Sequence, residues 1–105
     1  MNKAYNRIEG DLVLTSSTTI NGLIDGNVIV IDGVTLMHHG LIDGNLIIEE
    51  GGTCEVNGRI EKNIINQGKC AVYGYVEGLI FSSPENIYVD DKAIINQILP
   101  LPFAQ

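Results

Sequence analysis

The chain has 105 residues and a formal net charge of −7, and 45% of its residues are hydrophobic, with 12 glycines, 3 prolines and no tryptophan. This length is typical of one domain, and branched aliphatic residues mixed with glycines favour strands broken by tight bends. An acidic chain repels phosphate, which argues against a nucleic-acid partner and makes a basic protein the natural partner class.

The sequence carries no targeting or membrane signal that we recognise. Residues 1–5 hold no apolar run, so we expect no signal peptide, and no stretch reaches the roughly 20 apolar residues of a membrane helix. The two cysteines lack Cys-x-x-Cys spacing, which argues against a disulfide framework and a zinc site. We therefore expect a cytoplasmic protein without a metal, a cofactor or a small-molecule substrate.

An aliphatic residue followed by an acid recurs along the chain, in most cases with a glycine next. The aliphatic residues are Ile8, Ile24, Ile42, Ile60 and Val76, at spacings of 16, 18, 18 and 16. Self-similarity at such a period is typical of stacked repeats, because one repeat alone cannot bury its apolar faces.

A finer period of two runs through the repeats. Aliphatic residues and glycines occupy nearly all even positions of residues 20–30 and 38–48, which is the alternation of a strand. A repeat of this length divides into three strands of about six residues, with the even side chains pointing into a narrow interior. A two-residue deletion keeps this phase, so the shorter repeats predict one shortened corner.

We therefore predict an all-β, single-domain, three-sided parallel β-solenoid over residues 1–97, with about five coils of 16–18 residues. Residues 98–105 form a predicted apolar tail whose prolines stop strand pairing. Segments 87–89 and 93–95 predict a final partial coil. Residues 1–7 are too short for a substantial cap, which leaves the first coil open for stacking against another copy.

The repeat is similar to a known pattern. Residues 20–30 read I-N-G-L-I-D-G-N-V-I-V, which resembles the I-x-G-x-I-x-G-x-V-x-V repeat of bactofilins, the polymer-forming bacterial cytoskeletal family. Related segments follow at 38–48, 56–66 and 72–80, and the resemblance covers roughly residues 8–95. It implies a right-handed triangular β-helix, a cytoplasmic location and end-to-end polymerisation. On this basis we expect a non-catalytic scaffold that binds itself or another protein.

Two other classes of protein have to be weighed against this expectation. Hexapeptide acyltransferases also have a six-residue period, but they typically place glycine directly after the aliphatic residue, where this chain has Asp25, Ile31, Met37 and Asp43. We therefore expect no enzyme and predict no catalytic residues. The alternative function is that of a toxin-immunity protein, which neutralises a basic toxin domain through a rigid acidic surface.

Stacking turns sequence repeats into columns, and one predicted column is acidic. This acidic column consists of Glu9, Asp25, Asp43, Glu61 and Glu77. Like charges in adjacent strands are destabilising, so the column is a candidate docking strip for a partner rich in lysine and arginine. The alternative interpretation is a solvated face that deters unwanted pairing.

A second predicted outer column is apolar. This apolar stripe consists of Val13, Ile29, Ile47, Ile65 and Phe81, and it is a candidate protein contact unless a bend or the C-terminal tail covers it. A further outward column of Leu23, Leu41 and Tyr75 is interrupted by Arg59. A ladder of Asn27, Asn45 and Asn63 is expected to satisfy backbone groups at the bends and to tolerate left-handed backbone.

The remaining reactive residues are interpreted as structural. His38 and His39 point to opposite sides of a strand and cannot easily chelate one metal ion. Cys54 and Cys70 fall in one column within reach of each other, and we expect two buried, reduced thiols. The carboxylates form a ladder on a convex rod rather than flanking a cleft, so no general acid and base pair is predicted.

Overall fold

Three short strands recur in each of the first five coils. The computed structural model describes residues 7–101. The strands of the first three coils are β1 (Arg7–Glu9), β2 (Leu12–Leu14), β3 (Thr18–Ile20), β4 (Leu23–Asp25), β5 (Val28–Val30), β6 (Thr35–His38), β7 (Leu41–Ile42), β8 (Leu46–Ile48) and β9 (Thr53–Val56). The following strands are β10 (Arg59–Ile60), β11 (Ile64–Asn66), β12 (Lys69–Val72), β13 (Tyr75–Val76), β14 (Leu79–Ser82), β15 (Ile87–Val89) and β16 (Gln97–Leu99). A short 3-10 helix, Pro84–Asn86, precedes β15.

Every third strand pairs in parallel with the strand one coil away, which gives three sheets. Sheet A has the order β1-β4-β7-β10-β13, sheet B has the order β2-β5-β8-β11-β14-β16, and sheet C has the order β3-β6-β9-β12-β15. The predicted single-domain parallel β-solenoid of about five coils is therefore confirmed. Ile94 forms an isolated bridge with Tyr75, so this bridge and β16 begin a sixth coil that sheet C does not complete.

The interior is lined by the even-numbered side chains, as the period of two predicts. Ile24, Ile42 and Ile60 stack directly above one another in sheet A, and each is 0% exposed. The same stacking continues around the other two sheets. Burying one such side chain contributes about 1.5–3 kcal/mol. Because every coil adds several, the vertical columns form one continuous core.

The corner between sheets B and C absorbs the differences in coil length. Leu14 pairs with Val30 in sheet B, and Thr18 pairs with Leu36 in sheet C. The second coil therefore uses two more residues than the first to turn this corner. The two-residue change keeps inward side chains inward, which confirms the predicted shortened corner. In the fifth coil the 3-10 helix introduces an odd offset, because Cys70 pairs with Ile87. Odd-numbered side chains therefore face the core in β15.

Glycines at the corner between sheets C and A allow the coils to approach closely. A Cβ atom built on Gly40 would overlap the carbonyl oxygen of Gly22, and the same overlap recurs for Gly58 above Gly40 and for Gly74 above Gly58. A side chain at this corner would push the coils apart, and with them the strand pairing on both flanking sheets.

The predicted boundary between residues 97 and 98 falls inside a strand. Gln97–Leu99 pairs with β14, and Ile98 lies beside Ile80. Residues 98 and 99 therefore continue the solenoid, because their aliphatic side chains match the inward and outward positions of sheet B. Pro100 follows directly after this strand. Residues 102–105 of the predicted tail, and residues 1–6 of the predicted open start, lie outside the described residues.

Candidate protein-binding surfaces

The acidic column lies on the outer wall of sheet A. Glu9 and Asp25 are direct partners in adjacent strands, and the residues preceding Asp43, Glu61 and Glu77 are partners in turn. The register therefore places one carboxylate in each coil, at the strand spacing of about 4.8 Å. The column predicted from the repeat exists as a geometric feature.

Arginines neutralise part of this acidic column. Nε of Arg59 donates to Oε2 of Glu61 at 2.8 Å, and the same guanidinium also pairs with Glu77. Cζ of Arg59 lies 4.6 Å from the ring centroid of Tyr75, and this cation–π contact holds the guanidinium group in place. At the first coil, Nη2 of Arg7 lies 3.5 Å from Oε2 of Glu9. Asp25 and Asp43 are therefore the exposed carboxylates of the column that have no ion pair within residues 7–101.

The role of Arg59 was not recognised from the sequence, where it only interrupts an apolar column. A usable signal was present. Arg59 lies two residues before Glu61, so both side chains leave the strand on the same side. Arg59 also lies one repeat before Tyr75, so stacking places it directly beside Tyr75 and close to Glu77 in the next coil.

The apolar stripe lies on the outer wall of sheet B. Its members are consecutive partners in the register, in the order Val13, Ile29, Ile47, Ile65 and Phe81. The last strand adds Leu99, which pairs with Phe81. Val13 is 51% exposed because only one strand flanks it, and the other members are half-buried by one another. Within the described residues, nothing covers the stripe as a second layer.

The asparagine ladder runs along the corner between sheets A and B. Oδ1 of Asn27 accepts the backbone N–H of Asn45 at 2.8 Å, and Oδ1 of Asn45 accepts that of Asn63 at 2.9 Å. At the start of the ladder, Oδ1 of Asp11 accepts the backbone N–H of Asn27. At its end, Oδ1 of Asn63 accepts the backbone N–H of Leu79. The predicted backbone role is thus confirmed. The asparagines do not adopt the left-handed backbone that such positions tolerate, because no residue other than glycine has a positive φ in residues 7–101.

His38 points into the core and His39 points outward, as the alternation predicts. His38 is 0% exposed, its strand neighbours are Ile20 and Val56, and neither ring nitrogen reaches a hydrogen-bond partner among the described residues. Burial lowers the pKa of His38 to about 4, and the neighbouring His39 lowers it further. A neutral, enclosed imidazole of this kind is poorly placed for catalysis in solvent.

Cys54 and Cys70 are direct partners in adjacent strands of sheet C. Both thiols are free and buried. Burial, and then the neighbouring Cys70, raise the pKa of Cys54 well above its usual range. A buried thiol that stays protonated is a weak nucleophile, so the pair acts as part of the core.

Among residues 7–101, the last coil is not covered by a further coil. Ile98 occupies an inward position beside Ile80, yet it is 37% exposed, and Ile87, Val89 and Ile95 are only partly buried. Sheet C stops one strand short of sheet B at this end. The backbone groups of β15 and β16 that face away from the solenoid are therefore sheet edges without a further strand among the described residues.

Neither a cluster of metal-binding side chains nor a membrane-spanning helix occurs within residues 7–101. No group of three or more His, Cys, Asp or Glu side chains in this part of the chain converges into a metal site. The one helix described, Pro84–Asn86, is far too short to cross a bilayer.

Comparison with known proteins gave no relative on which a function can be based. No family model matches the chain, and neither curated proteins nor solved structures show significant similarity to it. The resemblance to bactofilins therefore depends on the repeat pattern, and function has to be argued from the surfaces described above.

Proposed function

We propose that the protein is a non-catalytic, self-associating scaffold of the bactofilin type, in which copies stack through the ends of their solenoids. The supporting observation is the open last coil, where an inward-facing Ile98 is 37% exposed. In a packed core this side chain would be covered by the next coil. A second copy can supply that cover.

The sheet edges favour the same contact. Unpaired backbone N–H and C=O groups at the edge of a sheet are a template for another strand, and natural proteins usually block such edges with charges, prolines or a covering element. Strands β15 and β16 hold no charged residue and no proline. At the opposite end, β1, β2 and β3 form the other edges of the three sheets. Stacking would continue the sheets at a spacing of about 4.8 Å.

The test of this proposal is the variant Ile98→Asp, which places a carboxylate on the open core end. Wild type is expected to form open-ended assemblies that grow with concentration, whereas Ile98→Asp is expected to stay small while keeping its circular dichroism spectrum. Light scattering and negative-stain microscopy of the same samples provide the measurement. The matched control is Leu41→Asp, a half-buried outward position in the third coil, which should assemble like wild type. A wild-type protein that never exceeds the dimer at any concentration contradicts the proposal.

A second candidate function has its own observation. Asp25 and Asp43 are exposed on adjacent coils and lack ion pairs within residues 7–101, so they can receive the cationic groups of a basic protein, as a toxin-immunity protein would require. Titration with a lysine-rich peptide by calorimetry tests this surface. The second candidate function is supported if binding weakens at least about tenfold in the double variant Asp25→Asn/Asp43→Asn. The control Glu49→Gln/Glu50→Gln also removes two negative charges and should bind like wild type. Equal weakening in both variants indicates only general attraction to an acidic protein.

A further inference from the structure

The three walls of the solenoid differ in charge. Sheet A contains Arg7, Glu9, Asp25 and Arg59 within its strands, and sheet C contains Glu55 and Lys69. The six strands of sheet B contain no charged residue at all. Sheet B is also the wall that carries the apolar stripe and its extension by Leu99. The apolar stripe therefore lies on the neutral wall of a protein whose net charge is −7.

This distribution favours a second copy of the chain as the occupant of sheet B. Two molecules of the same net charge repel each other, and the repulsion is smallest where neither presents charge. A basic partner, in contrast, would be drawn to the walls and corners that carry carboxylates. We propose that the apolar stripe binds the apolar stripe of a second copy, so that two solenoids lie side by side. This contact is distinct from stacking through the ends and does not depend on it.

The spacing of the stripe suits such a contact. Six rungs, from Val13 to Leu99, repeat at the strand spacing of about 4.8 Å, so any copy of this wall has the same pitch. With the two solenoids antiparallel about a twofold axis, Ile47 and Ile65 lie next to the axis. Val13 then faces Leu99 of the second copy, and Ile29 faces Phe81 of the second copy. The two outer kinds of pair combine a smaller with a larger side chain, and the central pair combines two isoleucines. These combinations suit two sheets packed face to face at a separation of about 10 Å.

The area of the wall predicts a weak contact. Strands of three residues with their flanking corners, over six rungs, give a face of roughly 400 Å² per copy, against about 800 Å² per partner in stable complexes. We therefore expect a dimer that forms on the order of 10 to 1000 μM rather than a permanent one. If copies also stack through their ends, the stripes join into longer rows and the side-by-side contact gains by multivalency.

The test uses Ile98→Asp as the parent protein, so that end contacts do not obscure the result. Sedimentation equilibrium from about 10 μM to 1 mM is expected to show a rise from the 11.4 kDa monomer toward the dimer. Adding Ile47→Glu buries a charge in the proposed contact and is expected to weaken dimerisation at least about tenfold. The matched control is Leu41→Glu, in the same coil and equally half-buried, but on sheet A. It should dimerise like the parent.

Each outcome decides the proposal. A parent protein that remains monomeric up to about 1 mM overturns it, and so does equal dimerisation of the Ile47→Glu and Leu41→Glu proteins, because the contact then lies elsewhere. If Ile47→Glu loses its β-sheet circular dichroism, Ile47→Thr keeps the branched shape and tests the same position. Failure of end stacking shows separately, as a wild-type protein that never exceeds the dimer.

Discussion

At the scale of single residues, His38 is the side chain least suited to its surroundings. It is enclosed between Ile20 and Val56 in the core of the second coil, and both ring nitrogens lack a hydrogen-bond partner within residues 7–101. Burial is the main cause of the lowered pKa of His38, and the neighbouring His39 lowers it further. The fold therefore accommodates a neutral histidine and opposes its protonation.

The buried, neutral His38 predicts that the free energy of unfolding decreases at acidic pH. The pKa of His38 is about 4 in the folded state, against 6.5 for a free histidine side chain, so the unfolded chain binds the proton more readily. The associated stability is fully present above pH 6.5 and is lost as the pH falls toward 4. At roughly 1.36 kcal/mol per pKa unit, the loss in the free energy of unfolding is about 3 kcal/mol.

Urea unfolding between pH 4 and pH 7.5, followed by circular dichroism, measures this loss. Any acid dependence from other groups is shared by all variants, so the informative quantity is the difference between two histidine variants. His38→Leu is expected to lose about 3 kcal/mol less than wild type on acidification, because leucine cannot be protonated. His39→Leu removes an exposed neighbour that is only the second cause of the lowered pKa of His38, after burial, so this variant should keep most of the loss seen in wild type. Identical pH profiles for the two variants would show that His38 protonation does not limit stability.

At the scale of elements, the sheets set which side chains become neighbours. Parallel pairing at offsets of 16 and 18 residues brings like residues together, and this produces the acidic column as readily as the asparagine ladder. In the ladder each side chain satisfies the backbone of the next coil. In the acidic column the neighbours repel, except where Arg7 and Arg59 intervene.

The two parts of the acidic column should therefore respond differently to neutralisation. Asp25→Asn and Asp43→Asn remove a like-charge repulsion and are expected to raise the free energy of unfolding by about 0.2–1 kcal/mol each. Glu61→Gln removes a partner of Arg59 and is expected to lower it slightly, since exposed ion pairs contribute little.

Chemical denaturation at low and at high salt measures both effects, which should shrink as salt screens the charges. A stabilising effect of Glu61→Gln equal to that of Asp43→Asn would mean that the pairing with Arg59 does not offset the repulsion in solution.

At the scale of the whole molecule, the solenoid separates its surfaces by direction. Within residues 7–101, the last coil exposes sheet edges and core side chains, sheet A carries charge, and sheet B carries the apolar stripe. The proposed end contact uses one direction and the proposed side-by-side contact uses another, so the two can be removed independently by Ile98→Asp and Ile47→Glu. This independence lets assembly be assigned to one surface or the other.

The sequence by itself determined the architecture and most of the columns. Strands at a constant offset in a parallel stack place each residue beside the residue one repeat away, so Ile24 over Ile8 and Cys70 beside Cys54 follow from spacing alone. The alternation of inward and outward side chains likewise follows from the strand period, and it placed His38 and His39 correctly.

Only the tertiary structure decided the features that depend on side-chain reach and on irregular turns. Arg59 selects Glu61 and Glu77 because its long side chain spans two coils, which a column of residue types does not reveal. The 3-10 helix before β15 shifts the register by an odd number of residues, so odd-numbered side chains point inward in β15. Even-numbered side chains point inward again only in β16, where Ile98 pairs with Ile80. Leu99 joins the apolar stripe, and Ile98 is left uncovered, because of that recovered register.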